Sequence, residues 1–120
     1  MKKVLIIEDE MALINNLTFA LSDEFEVLSA TTGAEGLRKA RKEKPDLVLL
    51  DIMLPDKSGI EILQELKKDE ATNDIKVVVM TNLGDKETIS KILQAGGKDY
   101  LVKADWSIDD IAKKIKKILK

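Results

Sequence analysis

LVLLD, at residues 47–51, places four consecutive apolar residues directly before a carboxylate. An unbroken apolar run of this length is typical of a strand buried on both faces, and VLII (residues 4–7) and VVVM (residues 77–80) share the pattern. FEVLSA (residues 25–30) and YLV (residues 100–102) also favour strands, but polar residues interrupt or flank them. The sequence therefore predicts five strands, with the first, third and fourth at the centre of a sheet.

Between these runs, apolar residues recur every three or four positions, which is typical of amphipathic helices. The recurring residues are Leu13, Leu17 and Leu21; Ile60, Leu63 and Leu66; Ile89 and Leu93; and Ile108, Ile111, Ile115 and Leu119. Thr32 and Glu35 are spaced as a capping box at the start of the second helix, and Ser107 and Asp110 at the start of the fifth. Five helices are therefore expected to alternate with the five strands.

Alternating strands and helices form a parallel sheet with helices on both faces, because the crossovers are right-handed and each helix covers apolar sheet surface. The flavodoxin-like strand order 2-1-3-4-5 satisfies the predicted central and edge positions, although composition leaves other orders open. The sequence contains no linker or internal repeat. We therefore expect residues 1–120 to form a single α/β domain.

Composition excludes several kinds of chemistry. The chain has no Cys and no His, which excludes disulfides, thiolate sites, histidine bases and histidine-ligated zinc. Its 20 Lys and Arg against 22 Asp and Glu give a net charge of -2, so neither nucleic acid nor an anionic membrane is expected as a direct partner. The lack of Cys and of a long early apolar segment predicts a cytoplasmic protein.

Polar side chains follow the predicted strands. They are Glu8, Asp9 and Glu10 after the first strand, Asp51 after the third, Thr81 after the fourth and Lys103 after the fifth. The carboxyl ends of parallel strands share one edge of a sheet, so these groups should converge. Two carboxylates about 4 Å apart repel by roughly 4 kcal/mol at an effective dielectric constant near 20, and a cation would offset this. All-oxygen ligands suit Mg²⁺, and beside it Asp51 could attack phosphorus as a nucleophile while Thr81 and Lys103 hold the phosphoryl oxygens.

Each of these residues also has a purely structural interpretation. Asp9 alone could N-cap the first helix, Thr81 alone could be a turn residue, and Lys103 alone could be a solvated charge. Asp51 does not fit as a cap, because the next helix is predicted to begin only near Ser58. The joint placement of the residues at one sheet edge indicates a site.

Four segments carry a resemblance to a known family: IIEDE (residues 6–10), LLDIMLPDKSG (49–59), MTN (80–82) and DYLVK (99–103). In this order and at these strand ends, they resemble the receiver domain of two-component response regulators. The resemblance extends from about Lys2 to Leu119. It implies a signalling switch that takes a phosphoryl group from the phosphohistidine of a sensor kinase or phosphotransfer protein.

The resemblance also implies a role for each site residue. The implied roles are phosphoryl acceptor for Asp51, Mg²⁺ ligands for Glu8, Asp9, Asp51 and the backbone carbonyl of Met53, phosphoryl contacts for Thr81 and Lys103, and switch residues for Thr81 and Tyr100. The implied output surface consists of the fourth helix, the fifth strand and the fifth helix, which would act on a downstream protein. No enzymatic turnover is expected beyond phosphorylation from a donor and slow self-dephosphorylation.

Three residues depart from the family pattern. Ala104 follows Lys103, where the family usually has a proline joined by a cis bond, and a non-proline cis bond costs about 2.5 to 4 kcal/mol. Asn82 stands where the family usually has a small residue such as alanine. Gly97 stands where the family usually has alanine. Both belong to the implied output side of the molecule.

The residues two positions beyond Asp51 and Thr81 tune phosphate hydrolysis in the family, and here they are Met53 and Leu83. Neither side chain can orient a water molecule, so slow loss of phosphate is expected. Met53 also argues against a Mg²⁺-dependent phosphatase with a DxD motif, which needs a second aspartate as general acid at that position. A phosphorylation-independent scaffold would be expected to have a damaged acid site, and a nucleotide-binding protein would need a glycine-rich loop after the first strand.

Overall fold

Five strands and five α-helices alternate in the described part of the chain, which is residues 1–82 and 84–120 of a computed structural model. The strands are β1 (Lys2–Ile7), β2 (Phe25–Ala30), β3 (Leu47–Asp51), β4 (Lys76–Thr81) and β5 (Asp99–Val102). The helices are α1 (Met11–Leu21), α2 (Gly33–Glu43), α3 (Gly59–Lys68), α4 (Lys86–Gln94) and α5 (Ile108–Ile118), and a 3₁₀ turn spans Lys103–Asp105. Within these described residues, no helix is long and apolar enough to span a bilayer.

All strand pairs are parallel, and the order is β2-β1-β3-β4-β5. The predicted flavodoxin-like order is therefore confirmed. The central strands are the ones without polar interruptions, because both of their faces are covered by helices. The more polar β2 and β5 lie at the edges.

Successive residues of each strand point to opposite faces, so the sheet separates two apolar cores. The first core contains Val4 and Ile6 of β1 and packs against helices α1 and α5. The second core contains Leu5 and Ile7 of the same strand and packs against α2, α3 and α4. This alternation determines which helices lie beside each polar group at the strand ends.

The predicted N-terminal capping boxes are formed completely at α5 and only partly at α2. Ser107 and Asp110 form the reciprocal capping box of α5. At α2, the hydroxyl of Thr32 accepts a hydrogen bond from the backbone N–H of Glu35 at 3.2 Å. The Glu35 carboxylate instead pairs with Lys39 at 3.1 Å, one turn further along the helix. The predicted capping box at Thr32 is therefore only half formed.

The predicted apolar stripe of α4 is wrong at one position. Leu93 is 55% exposed, whereas its neighbour Ile92 is fully buried. Ile92 of α4 and Ala95, the C-cap residue just after the helix, pack into the second core. Spacing alone could not choose between the two adjacent apolar residues, because the rotation of a short helix depends on the surface against which it packs.

Candidate functional site

Three charged side chains reach the same side of the sheet because of the two-residue period of the strands. Glu8, Asp51 and Lys103 each lie two positions beyond a strand residue of the first core. The core residues are Ile6, Leu49 and Leu101, respectively. The three side chains therefore meet on the side covered by α1 and α5.

The acidic residues form a compact group at the carboxyl edge of the sheet. One carboxylate oxygen from each of Glu8, Asp9 and Asp51 lies within 4.8 Å of the others. Glu8 is fully buried, Asp51 is 3% exposed, and Asp9 is exposed to solvent. The Lys103 ammonium lies between the two buried acids, with Nζ 2.7 Å from Oε1 of Glu8 and 2.8 Å from Oδ2 of Asp51.

The remaining carboxylate oxygens of the two buried acids accept hydrogen bonds from the backbone. The Glu10 N–H donates to Oε2 of Glu8 at 3.0 Å, and the Met53 N–H donates to Oδ1 of Asp51 at 3.0 Å. Both acids therefore have a donor on each oxygen, as buried carboxylates require. The backbone just beyond each strand end thus helps to orient its acid.

The electrostatics of the group are dominated by burial. Burial raises the pKa of Glu8 to about 7, with a further contribution from the Asp51 charge, although Lys103 and the Glu10 N–H oppose the shift. For Lys103, burial acts to lower the pKa, but hydrogen bonds from its ammonium to Asp51 and Glu8 raise it above the usual lysine value. Lys103 is therefore charged at neutral pH, whereas Glu8 is close to its midpoint.

The donor set fits Mg²⁺. The three acids offer only oxygen atoms, and one ammonium cannot neutralise three carboxylates. Asp9 is not the cap of α1, because Glu10 occupies the N-cap position. The structural interpretation of Asp9 is therefore wrong, and its carboxylate is available on the solvent side of the group. Met53, whose carbonyl was predicted as a further ligand, lies in the loop that follows Asp51.

Thr81 and Tyr100 lie on the opposite side of the sheet from Lys103. Thr81 is fully buried at the end of β4 and is in register with Val102. Tyr100 is in register with Val79 and packs, half-buried, against the second core. Since strand residues two positions apart share a face, Thr81 and Tyr100 are near neighbours beside α4.

The structure shows the conformation or burial of the three residues that depart from the family pattern, Ala104, Asn82 and Gly97. The Lys103–Ala104 peptide bond is trans, and Lys103–Asp105 form a 3₁₀ turn in which Trp106 N–H donates to the Lys103 carbonyl at 3.3 Å. Asn82 is exposed, and Gly97 is buried. Leu83, for which an effect on phosphate lifetime was predicted, lies outside the described residues.

One residue near the site was not singled out from the sequence. Asp56, in the loop between β3 and α3, accepts hydrogen bonds from the backbone N–H groups of Gly33 and Ala34 at the start of α2. Its position after Pro55 is typical of a turn residue. No local pattern indicates a contact that joins residues more than 20 positions apart.

Comparisons with known proteins identify the family. Residues 4–116 match the response regulator receiver domain. The chain is 41% identical over 104 residues to the probable C4-dicarboxylate response regulator DctR of Bacillus subtilis, covering 84% of this chain and 45% of that protein. It spans about half the length of such curated relatives.

Solved structures agree with this match. A CheY-like response regulator receiver domain protein from Methanospirillum hungatei is 32% identical and has a TM-score of 0.89, with 99% of this chain and 94% of that chain covered. The phosphorylated cyanobacterial phytochrome response regulator RcpA is 28% identical and has a TM-score of 0.83, with 98% and 90% covered. The chain, with its acid group at the carboxyl edge of a 2-1-3-4-5 sheet, therefore belongs to the response regulator receiver domain family.

Proposed function

We propose that this receiver domain of a two-component system is a phosphorylation-activated switch whose phosphoryl acceptor is Asp51. The observation that carries the proposal is the placement of Asp51, which is buried beside Glu8 and held 2.8 Å from the Lys103 ammonium. If Asp51 had only a structural role, Lys103 alone could neutralise its charge. Glu8 and Asp9 each place a carboxylate oxygen within 4.8 Å of it, and this added negative charge favours binding of a metal ion. The described phosphorylation of the similar regulator RcpA supports the same chemistry.

The proposed reaction is transfer of a phosphoryl group from a phosphohistidine to the Asp51 carboxylate. A carboxylate oxygen forms a bond to phosphorus, the bond between phosphorus and the histidine nitrogen breaks, and the leaving imidazole keeps the electron pair. The product is an aspartyl phosphate. The donor is a sensor histidine kinase or a phosphotransfer protein, as the family implies.

Glu8, Asp9, Asp51 and the Met53 carbonyl would hold Mg²⁺. When bound, the metal supplies positive charge that offsets the charge of the carboxylates and of the phosphoryl oxygens. Lys103 is the second source of positive charge. Because its ammonium already contacts Asp51, it could donate a hydrogen bond to a phosphoryl group on that residue. The Thr81 hydroxyl is proposed as a further donor to that group.

The proposed switch uses the face of the sheet that carries Thr81 and Tyr100. Moving a two-state equilibrium from 1:99 to 99:1 takes about 5.5 kcal/mol, and hydrogen bonds to charged groups contribute about 1.5 to 3 kcal/mol each. A bond from Thr81 to the phosphoryl group would supply part of this energy, whereas Lys103, which already donates to Glu8 and Asp51, would exchange one of those bonds for a phosphoryl contact. Thr81 would move toward the phosphoryl group, Tyr100 would turn inward, and the α4-β5-α5 surface would change for a downstream protein.

The receiver domain family is a signalling switch rather than a turnover enzyme. We propose that residues 1–120 act as one such unit in the cytoplasm, without direct contact with nucleic acid or membrane. The thioether of Met53 cannot orient an attacking water, so the proposed phosphoryl group is lost slowly. Substituting Met53→Asn should accelerate its decay, and an unchanged decay rate would contradict this part of the proposal.

Intact-mass measurement after incubation with a small phosphodonor tests the proposal. We expect the wild-type chain to gain one phosphoryl group only when Mg²⁺ is present, and Asp51→Asn to gain none. Asp69→Asn is a matched control, because Asp69 is a paired aspartate outside the acid group and should leave the adduct unchanged. Absence of a Mg²⁺-dependent adduct on the wild-type chain would overturn the proposal.

A further inference from the structure

The loop between β3 and α3 (residues 52–58) is closed at its neck. The Gly59 N–H donates to the carbonyl of Ile52 at 2.8 Å, and Met53 forms an isolated antiparallel bridge with Ser58. A Cβ added at Gly59 would lie 2.4 Å from Cα of Ile52, so only glycine permits this crossing of the chain. The Ile52 N–H also donates to the Met80 carbonyl at 3.0 Å, which anchors the neck to β4.

The tip of the same loop is held by Asp56. Oδ1 accepts from the N–H of Gly33 at 2.7 Å, and Oδ2 accepts from the N–H of Ala34 at 3.0 Å. These are the first two residues of α2, whose N–H groups have no partner within their own helix. The bonds are charge-assisted and lower the pKa of Asp56, so its carboxylate stays ionised at neutral pH.

The contact between Asp56 and the start of α2 depends on a small residue at position 33. A Cβ added at Gly33 would lie 2.6 Å from Cδ1 of Ile62 and 3.4 Å from Oδ1 of Asp56. Glycine at this position therefore lets α2 approach both α3 and the loop tip. Thr32 caps the next N–H of the helix, that of Glu35, from within the local sequence. The start of α2 thus has one local cap and one cap supplied by the loop.

The loop connects this clamp to the phosphorylation site. Met53 lies in the loop, and its N–H donates to Oδ1 of Asp51 at 3.0 Å. This N–H belongs to the peptide group that joins Ile52 to Met53, and the Met53 carbonyl belongs to the next peptide group, so both lie in the short segment that Asp56 ties down. Rotation of the first peptide group would remove a donor from Asp51, and rotation of the second would change the direction of the Met53 carbonyl.

We infer that Asp56 is a positioning residue that clamps the loop of residues 52–58 to the first turn of α2 and thereby fixes the backbone of Met53 beside Asp51. Its effect on Mg²⁺ binding rests on the proposed function, because the Met53 carbonyl is a ligand only in that proposal. Its effect on the Met53 N–H does not depend on any metal. Residues that orient metal ligands from outside the ligand set typically change metal affinity by about 10- to 100-fold when replaced.

The test compares Asp56→Ala with Thr32→Ala in the full chain. Both substitutions remove a cap from the same helix end, but only Asp56 is attached to the loop. We expect Asp56→Ala to accelerate hydrogen exchange at the Met53 N–H and to raise the Kd for Mg²⁺ about tenfold. Thr32→Ala should leave both quantities at the wild-type value. Asp56→Asn, which retains one acceptor oxygen, should give intermediate values and serves if the alanine variant does not fold.

Two results would overturn the inference. One is a hydrogen-exchange rate at the Met53 N–H that equals the wild-type rate in both Asp56 variants. The other is an equal acceleration in Thr32→Ala, which would show that loosening of α2, rather than release of the loop, is responsible. Failure of the wild-type chain to bind Mg²⁺ would instead contradict the proposed function, and exchange at Met53 would still decide whether Asp56 acts as a clamp.

Discussion

Glu8 is a buried side chain whose protonation changes near neutral pH. Its carboxylate is fully buried, and burial raises its pKa to about 7 even though Lys103 donates to Oε1 at 2.7 Å. Near pH 7, a substantial fraction of metal-free molecules therefore carries a proton on Glu8. Because a metal ligand must be deprotonated, protons and Mg²⁺ compete for this carboxylate.

We therefore expect the apparent affinity for Mg²⁺ to fall as the pH decreases. With a pKa of about 7 for Glu8, the Kd for Mg²⁺ should be about tenfold higher at pH 6 than at pH 8. Isothermal titration calorimetry at the two pH values measures this ratio, and buffers of different ionisation enthalpy report the released proton. Glu8→Gln removes the titrating group and should flatten the pH dependence. Equal wild-type affinities at pH 6 and pH 8 would contradict the expectation.

The connection between α4 and β5 explains one departure from the family pattern. The Gly97 N–H donates to the Ile92 carbonyl at 2.9 Å, which draws the chain tightly under the end of α4. A Cβ at position 97 would lie 2.7 Å from Cγ2 of Ile92 and 3.0 Å from its carbonyl oxygen. Alanine, the usual residue of the family at this position, therefore does not fit the present packing without a shift.

Gly97→Ala should consequently destabilise the protein by about 1 to 3 kcal/mol, the usual range for overpacking a core. Leu93→Ala is the matched control, because Leu93 lies near the end of α4, close in sequence to Gly97, but is 55% exposed. Its free energy of unfolding should change by no more than about 0.5 kcal/mol. Urea denaturation measures both values. A neutral Gly97→Ala variant would show that α4 can move away from this connection at little energetic cost.

The molecule as a whole should lose stability with rising pH when Mg²⁺ is absent. Glu8 has an ordinary pKa near 4.5 and a folded-state pKa of about 7. Its proton therefore stabilises the fold fully below pH 4.5, and this stabilisation is lost as the pH rises through 7. The lowered pKa values of Asp56, Asp69 and Asp85 act below pH 3.8, outside this window.

Between pH 5 and pH 8, the Glu8 contribution should fall by about 2 to 3 kcal/mol. Mg²⁺ at about 100 times its Kd should stabilise the folded state by about 2.7 kcal/mol and so offset the loss at pH 8. Urea unfolding at both pH values, with and without Mg²⁺, measures these changes. Glu8→Gln should show little of the pH dependence. Wild-type stability that stays constant or increases between pH 5 and pH 8 without metal would contradict this assignment.

Much of the fold follows from the sequence because its signals are local. The three uninterrupted apolar runs identified the central strands, and alternation with helical spacing predicted a parallel sheet. The order 2-1-3-4-5, which satisfied these central and edge positions although other orders were open, is the one that the structure confirms. The error at Leu93 and the half-formed capping box at Thr32 arose where two local choices were nearly equal. In both cases, a tertiary contact or a competing ion pair decided the outcome.

The sequence alone predicted that Glu8, Asp51 and Lys103 would converge, because parallel strands bring their carboxyl ends to one edge of the sheet. Only the tertiary structure decided how the lysine divides its contacts between the two acids and why burial brings the pKa of Glu8 to about 7. The contact of Asp56 with α2 likewise depended on the folded chain. Burial and contacts between distant residues depend on how the elements pack, which no local pattern encodes.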